Sequence, residues 1–155
     1  AHEKSISINQ TAGNDIKIQL YFKRIESIDA SEGSYVSSDL PFKQTVLSVN
    51  AKEGAQIKVE FDTEKATIRA VSGGILDLTG KTNSQTITIA SGGVLEAKDL
   101  ISSQTTVNVS AGGKAEIHAT TLVDAKVKAG GSIYIYGKPK QINQETILGG
   151  TIIEK

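Results

Sequence analysis

Apolar and polar residues alternate with period two along most of the 155 residues, and glycine interrupts the alternation at a nearly constant interval. Gly-Gly pairs begin at 73, 92, 112, 130 and 149, at spacings of 19, 20, 18 and 19. Gly54, Gly33 and Gly13, each followed by a small residue (Ala55, Ser34, Asn14), carry the ruler upstream at spacings of 19, 21 and 20. Three and five places after these marks stand Ile57/Val59, Leu76/Leu78, Leu95/Ala97, Ala115/Ile117 and Ile133/Ile135. Five and three places before them stand Ile28/Ala30, Val49/Ala51, Ile68/Ala70, Ile87/Ile89, Val107/Val109 and Ala125/Val127. Each period therefore predicts two strands meeting at a glycine corner, Gly54, Gly73, Gly92, Gly112, Gly130 and Gly149 being the clearest. Glycine permits the tight bend because it lacks Cβ and reaches positive φ freely. A third, more variable stretch completes the period, as in KTNSQ, DLISSQ and TTLVDA.

A period of 18 to 21 residues leaves no room for a crossover helix and is too short for a propeller blade. An antiparallel sandwich would need hairpins, yet the chain has no Asn-Gly or Asp-Gly and its count is too regular for sandwich loops. The pattern predicts an all-β fold: a single-stranded, right-handed parallel β-helix of about seven to eight rungs stacked at about 4.8 Å. It forms one domain over residues 1–155, with 25–155 as the repeat region and 1–24 as a shortened N-terminal head or a first rung. Columns of like residues such as Ile28, Val49, Ile68, Ile87, Val107 and Ala125 form the core, and Ala30, Ala51 and Ala70 mark a narrow corner.

Composition agrees with this reading. With 19 Ile, 10 Val and 14 Thr against 9 Leu, β-branched residues dominate, and only three Phe and four Tyr are present, so the core is aliphatic. Zero cysteine excludes disulfides, thiolate metal sites and cysteine nucleophiles. Seventeen basic and seventeen acidic residues cancel, which removes the electrostatic argument for nucleic acid or an acidic membrane as partner. No apolar run reaches the about 18 residues of a membrane span. The opening AHEKSISIN lacks the apolar core of a signal segment.

Outward positions stack into ladders where chemistry is to be sought. Four places after each mark the ladder reads Lys17, Ser37, Lys58, Asp77, Glu96, Glu116, Tyr134, Ile153, and two places further it reads Gln19, Asp39, Glu60, Thr79, Lys98, His118, Tyr136, Lys155. Consecutive carboxylates repel unless a lysine, a cation or a raised pKa relieves them, which makes Asp77, Glu96 and Glu116 a weak candidate for a hard cation; no other metal and no cofactor is expected. His118 reads as a surface side chain paired with a carboxylate and within reach of Lys98. Tyr134 and Tyr136 point outward above Glu116 and His118, as terminal covers of the rod or as a stacking platform for a sugar. Glu96, Glu116, His118, Tyr134 and Tyr136 are thus the candidate ligand face. Catalysis is not expected: Arg24 and Arg69 are the only arginines, long loops that could wall a cleft are missing, and no nucleophile-base spacing or phosphate loop occurs. The outward threonines Thr67, Thr86 and Thr106 suit an exposed strand, and an ice-binding use is the remote alternative.

GGSIYIYGKPKQINQETILGGTI (130–152), SSQTTVNVSAGGKAEIHATTLVDAKV before it and IESIDASEGSYV (25–36) closely resemble the auto-transporter adhesin family that carries the head GIN domain, a bacterial family of largely unknown function. The carrying features are the serial Ser/Ala-Gly-Gly and Ser-Glu-Gly corners, Gly-x-Pro-Lys at Gly137–Lys140 and the closing Gly-Gly-x-Ile. The resemblance covers residue 25 to the end. It implies an exported β-helix of the cell envelope, surface or periplasm in Bacteroidetes-type bacteria, its signal or lipoprotein segment lying outside this sequence, and it supplies no catalytic residues. The combined expectation is a non-catalytic interaction module, adhesive toward a glycan or a surface protein. The alternatives are a carbohydrate-binding or carbohydrate-cleaving β-helix and a structural protein that associates end to end or face to face.

Overall fold

The computed structural model describes residues 4–10 and 16–155; His2 and the Gly13 mark lie outside them. The described chain is built of strands and bends. The strands are β1 (Lys4–Gln10), β2 (Ile16–Phe22), β3 (Ser27–Ala30), β4 (Ser34–Ser37), β5 (Phe42–Ala51) and β6 (Gln56–Val71). They continue with β7 (Ile75–Ala90), β8 (Val94–Ser110), β9 (Lys114–Lys128), β10 (Ser132–Tyr136), β11 (Gln141–Ile147) and β12 (Thr151–Glu154). Among β3 to β12 all pairing is parallel, each strand lying on its equivalent one turn away. The result is a β-solenoid of about seven turns with a repeat of about 19 residues.

Register confirms the columns. Ile28, Val49, Ile68, Ile87, Val107 and Ala125 stack in direct register and all are buried. So do Ile57, Leu76, Leu95, Ala115 and Ile133 on the strands that follow the corners. The third side is more ordered than its variable sequence predicts. In β6 and β7 it is the middle of one continuous bent strand, with Phe61 opposite Gly80, Asp62 opposite Lys81 and Thr63 opposite Thr82. A side chain at Gly80 would put Cβ 2.0 Å from the Phe61 carbonyl oxygen, so glycine there lets two turns approach. Differences in repeat length are absorbed on this side, by register shifts at Asp77/Gly80, Ala97/Ile101 and Ser102/Gln104. Polar residues line this part of the interior: Thr63 donates to Thr82 at 3.1 Å, Gln85 donates to Thr105 at 2.9 Å, and Ser102 lies 2.7 Å from Thr105.

The corners need two different things from two glycines. The first glycine of each mark, Gly33 to Gly149, has φ between 70° and 86°, and the residue before it (Glu32, Glu53, Ser72, Ser91, Ala111, Ala129, Leu148) has φ between 47° and 56°. Two successive positive φ values, closed by bonds such as Gly74 N to Val71 O at 2.9 Å and Gly93 N to Ala90 O at 3.0 Å, make a turn of the I′ kind. The second glycine has a steric role. A Cβ at Gly74 would lie 2.3 Å from the Ala51 carbonyl oxygen, and one at Gly93 would lie 2.2 Å from that of Ala70, so the expected narrow alanine corner is what the second glycine packs against. Corners also bond to one another. Gly54 N donates to Ser72 O at 3.1 Å, Gly73 N to Ser91 O at 3.1 Å and Gly92 N to Ala111 O at 3.2 Å, so the left-handed residue of each turn accepts from the turn before.

The N-terminal period departs from the repeat. β1 pairs antiparallel with both β2 and β4, so β1 and β2 lie as an antiparallel pair on the end of the stack rather than as a first rung. Lys17 and Gln19, expected in the outward ladders, instead face Asn9 and Ser7 of β1 in register.

Candidate functional site

The strand segments that follow the corners form one side of the solenoid, with alternate residues buried. Their outward residues fall into the ladder Ser37, Lys58, Asp77, Glu96, Glu116, Tyr134, Ile153, each directly opposite the next. Asp77, Glu96 and Glu116 are therefore adjacent, and Tyr134 stands next to Glu116. Lysines relieve two of the three carboxylates: Lys58 lies 3.5 Å from Asp77 and Lys114 lies 2.8 Å from Glu116. Among the described residues no three carboxylate or imidazole groups converge as a metal-holding cluster.

Lys114 organises the C-terminal part of this face. Its ammonium donates to Glu116 and lies 5.5 Å from the centre of the Tyr134 ring, and Lys155 approaches the same ring at 5.7 Å. The hydrogen bond to Glu116 raises the Lys114 pKa above the ordinary lysine value, partial desolvation opposes the shift, and the charges of Glu116, Tyr134 and Glu96 add to it. A lysine over a tyrosine face contributes about 0.5–1 kcal/mol at an exposed site. Tyr134 is thus a ring approached by two ammonium groups.

The second ladder is only partly continuous. Tyr136 is in register with His118, but the shift between Ala97 and Ile101 sets Ile101, not Lys98, opposite His118. Among the described residues His118 is paired with no carboxylate. Its Nδ1 lies 2.9 Å from the carbonyl oxygen of Lys98, and because a carbonyl only accepts, Nδ1 donates. The other edge of the ring lies against the backbone of Gly137, where a Cβ would come 2.4 Å from Cδ2 and 2.6 Å from Nε2. Sequence reasoning placed His118 and Lys98 within reach but missed Gly137, whose signal was its departure from the corner spacing.

The relief of this face is shallow. One depression of about 220 Å³ lies between Tyr35, Lys58, Asp77 and Glu96, and one of about 370 Å³ is lined by Ile135, Lys138, Pro139, Glu154 and Lys155. On another side, Thr106, Asn108, Asp124, Lys126, Asn143 and Glu145 line a depression of about 240 Å³ whose polar groups pair among themselves, Asn143 donating to Asp124 at 2.6 Å and Lys126 bonding Glu145 at 2.8 Å. The expected threonine ladder, Thr67, Thr86 and Thr106, is in register and exposed, and it runs into Asp124. Enclosed small-molecule sites bury most of their ligand. These surfaces are open instead.

No curated protein matches the chain. Among solved structures it is similar to a "putative adhesin" of Parabacteroides distasonis (TM-score 0.75, 24% identity, covering 83% of this chain and 55% of that one). It is also similar to a "putative adhesin" of Bacteroides fragilis (0.73, 21%, 78% and 56%). A "putative lipid binding protein" of Parabacteroides distasonis shares the fold as well (0.68, 19%, 83% and 52%). The chain thus spans little more than half the length of these proteins. The family model described as "Putative auto-transporter adhesin, head GIN domain" matches residues 2–139, taking in the N-terminal strand pair that lies ahead of the resemblance read from residue 25 on. A match over most of the chain, joined to the same solenoid in the solved relatives, shows that the chain belongs to this adhesin family.

Proposed function

We propose that this chain is a non-catalytic adhesive module, exported to the cell surface or periplasm, whose rigid rod displays the face built by Glu96, Glu116, His118, Tyr134 and Tyr136 to a hydroxyl-rich glycan. The observation that carries the reading is the unbroken outward ladder from Asp77 to Tyr134 on a flat parallel sheet. Stacked strands hold successive side chains about 4.8 Å apart, a spacing that suits repeated contacts along an extended polymer. The lysine-bridged carboxylates and the openness of the face support binding over turnover, since glycoside cleavage needs a carboxyl pair flanking an enclosed bond. A lipid-binding use, the name carried by one relative, finds no lumen here, because buried Ile, Val, Leu and Ala columns fill the interior.

The test is a broad glycan array probed with the folded protein and with the Tyr134→Ala, Tyr136→Ala double variant. The expected result is a specific hit lost in the variant while the far-ultraviolet β signature is kept. A blank array, or a hit that the variant retains, overturns this assignment of the face.

A further inference from the structure

The antiparallel pair at the N-terminal end leaves both an edge and a face of one strand uncovered. Among the described residues, β2 ends the strand order of the sheet and is bonded on one side only, to β1, so that its outer edge, from Ile16 to Phe22, has no strand partner among them. Phe22 fixes the facing of the strand, because its ring stacks on that of the buried Phe42 with centroids 5.6 Å apart. Period-two alternation then puts Ile16, Ile18 and Leu20 on that same core-side face, beyond the end of the packed interior, where they remain 54%, 51% and 44% exposed. Lys17, Gln19 and Tyr21 occupy the opposite face, Tyr21 also exposed.

We infer that β2 is a self-association edge, pairing antiparallel with β2 of a second copy about a two-fold axis at Gln19. A two-fold operation makes an edge-to-edge strand pair antiparallel, the sense β2 already adopts with β1. Centring on Gln19 overlaps all seven residues. Ile16 then faces Phe22 of the second copy and Ile18 faces Leu20, joining the two apolar faces, while Lys17 faces Tyr21 and the two Gln19 amides meet on the axis. No like charges face each other, whereas centring on Lys17 would oppose two ammonium groups. Main-chain bonding singles out a strand as the occupant, since an acyl chain could cover the apolar face but would leave the edge unpaired. Strands stack along the rod axis, so the dimer is two coaxial rods joined at their N-terminal ends. One strand pair buries less than the about 1,200 Å² of a standard interface, so the association is weak and favoured by crowding on a surface. The inference is independent of the glycan reading.

The chain has no cysteine, so Gln19→Cys introduces a single thiol at the axis. The two thiols would sit on directly opposed residues, with Cβ atoms about 5 Å apart, close enough to link. Mild oxidation of this variant should give a covalent dimer with close to double the maximum dimension in small-angle scattering, and Thr86→Cys, on a side face, should link far more slowly. Sedimentation of the unmodified protein from roughly 10 μM to 1 mM should show reversible dimerisation that Ile18→Glu abolishes. Monomer throughout this range overturns the proposal. So does equal linking at Thr86→Cys, or binding of the monomer to phosphatidylcholine vesicles that Ile18→Glu removes. Should Ile18→Glu fail to fold, the rates at the two cysteine positions decide alone.

Discussion

The two glycines of a corner should fail differently when each is given a methyl group. At Gly73, φ is 75° and the nearest atom to an added Cβ is the Gly54 nitrogen at 3.9 Å, so Gly73→Ala meets only the left-handed conformational penalty of about 1–2 kcal/mol. Its neighbour Ser72 already occupies that region at φ 50°, which shows that the corner accepts a side chain there. At Gly74 the added Cβ would lie 2.3 Å from the Ala51 carbonyl oxygen and 2.5 Å from its carbon, inside contact distance of backbone that has little freedom to yield. Relief requires two turns to separate, with loss of stacking above and below, at about 3 kcal/mol or more. Urea unfolding at equilibrium reads the two variants from their midpoints at constant slope. The expected gap is about 2 kcal/mol, roughly a factor of 30 in the folding constant. The reasoning is refuted if Gly73→Ala is as destabilising as Gly74→Ala.

Ile87, fully buried with Ile68 and Val107 as its register neighbours, should lose about 2–4 kcal/mol on Ile87→Ala; a loss under about 1 kcal/mol in the same urea assay would mean that the column collapses to fill the gap. The raised pKa of Lys114 gives a signed pH effect. Its folded-state value lies above 10.5, so its bond to Glu116 contributes fully below that pH and fades as pH rises through the folded value. Lys114→Gln should therefore lower the urea midpoint equally at neutral and mildly alkaline pH, and the difference from the unsubstituted protein should shrink above pH 10.5; a difference that grows with pH contradicts the pairing.

Much of the fold was legible because a solenoid writes the same constraint once per turn. Glycine at a fixed interval and apolar residues three and five places away sufficed to place the columns, and Ile28 to Ala125 align as the spacing predicts. Two features escaped for physical reasons. Type I′ corners ordinarily announce themselves with Asn-Gly or Asp-Gly. Here the first left-handed position holds Glu, Ser, Ala or Leu, because the stacked bonds from the preceding corner, such as Gly73 N to Ser91 O, help fix the conformation from outside. The reversal between β1 and β2 escaped because strand direction leaves no trace in a period-two pattern. Ile6 and Ile8 alternate alike whether β1 runs with the stack or, as it does, against it.

The outward ladders are a different case, because the fold constrains them weakly. Most substitutions at exposed positions shift stability by less than about 0.5 kcal/mol, so the identity of an outward residue carries little information about architecture. Conflict with the fold is more informative than agreement. Glu96 faces Glu116 in direct register, an arrangement that destabilises neighbouring strands, and the nearest relief, Lys114, donates to Glu116 and reaches Glu96 only through longer-range attraction. A scaffold selected for stability alone has no use for that pair, when Asp77 one rung away is matched with Lys58. Local rules broken without compensation concentrate at working surfaces, and this one is broken beside Tyr134. That conflict supports the proposal that the glycan contact lies in the C-terminal half of the ladder, where, among the described residues, Glu96 has no lysine of its own.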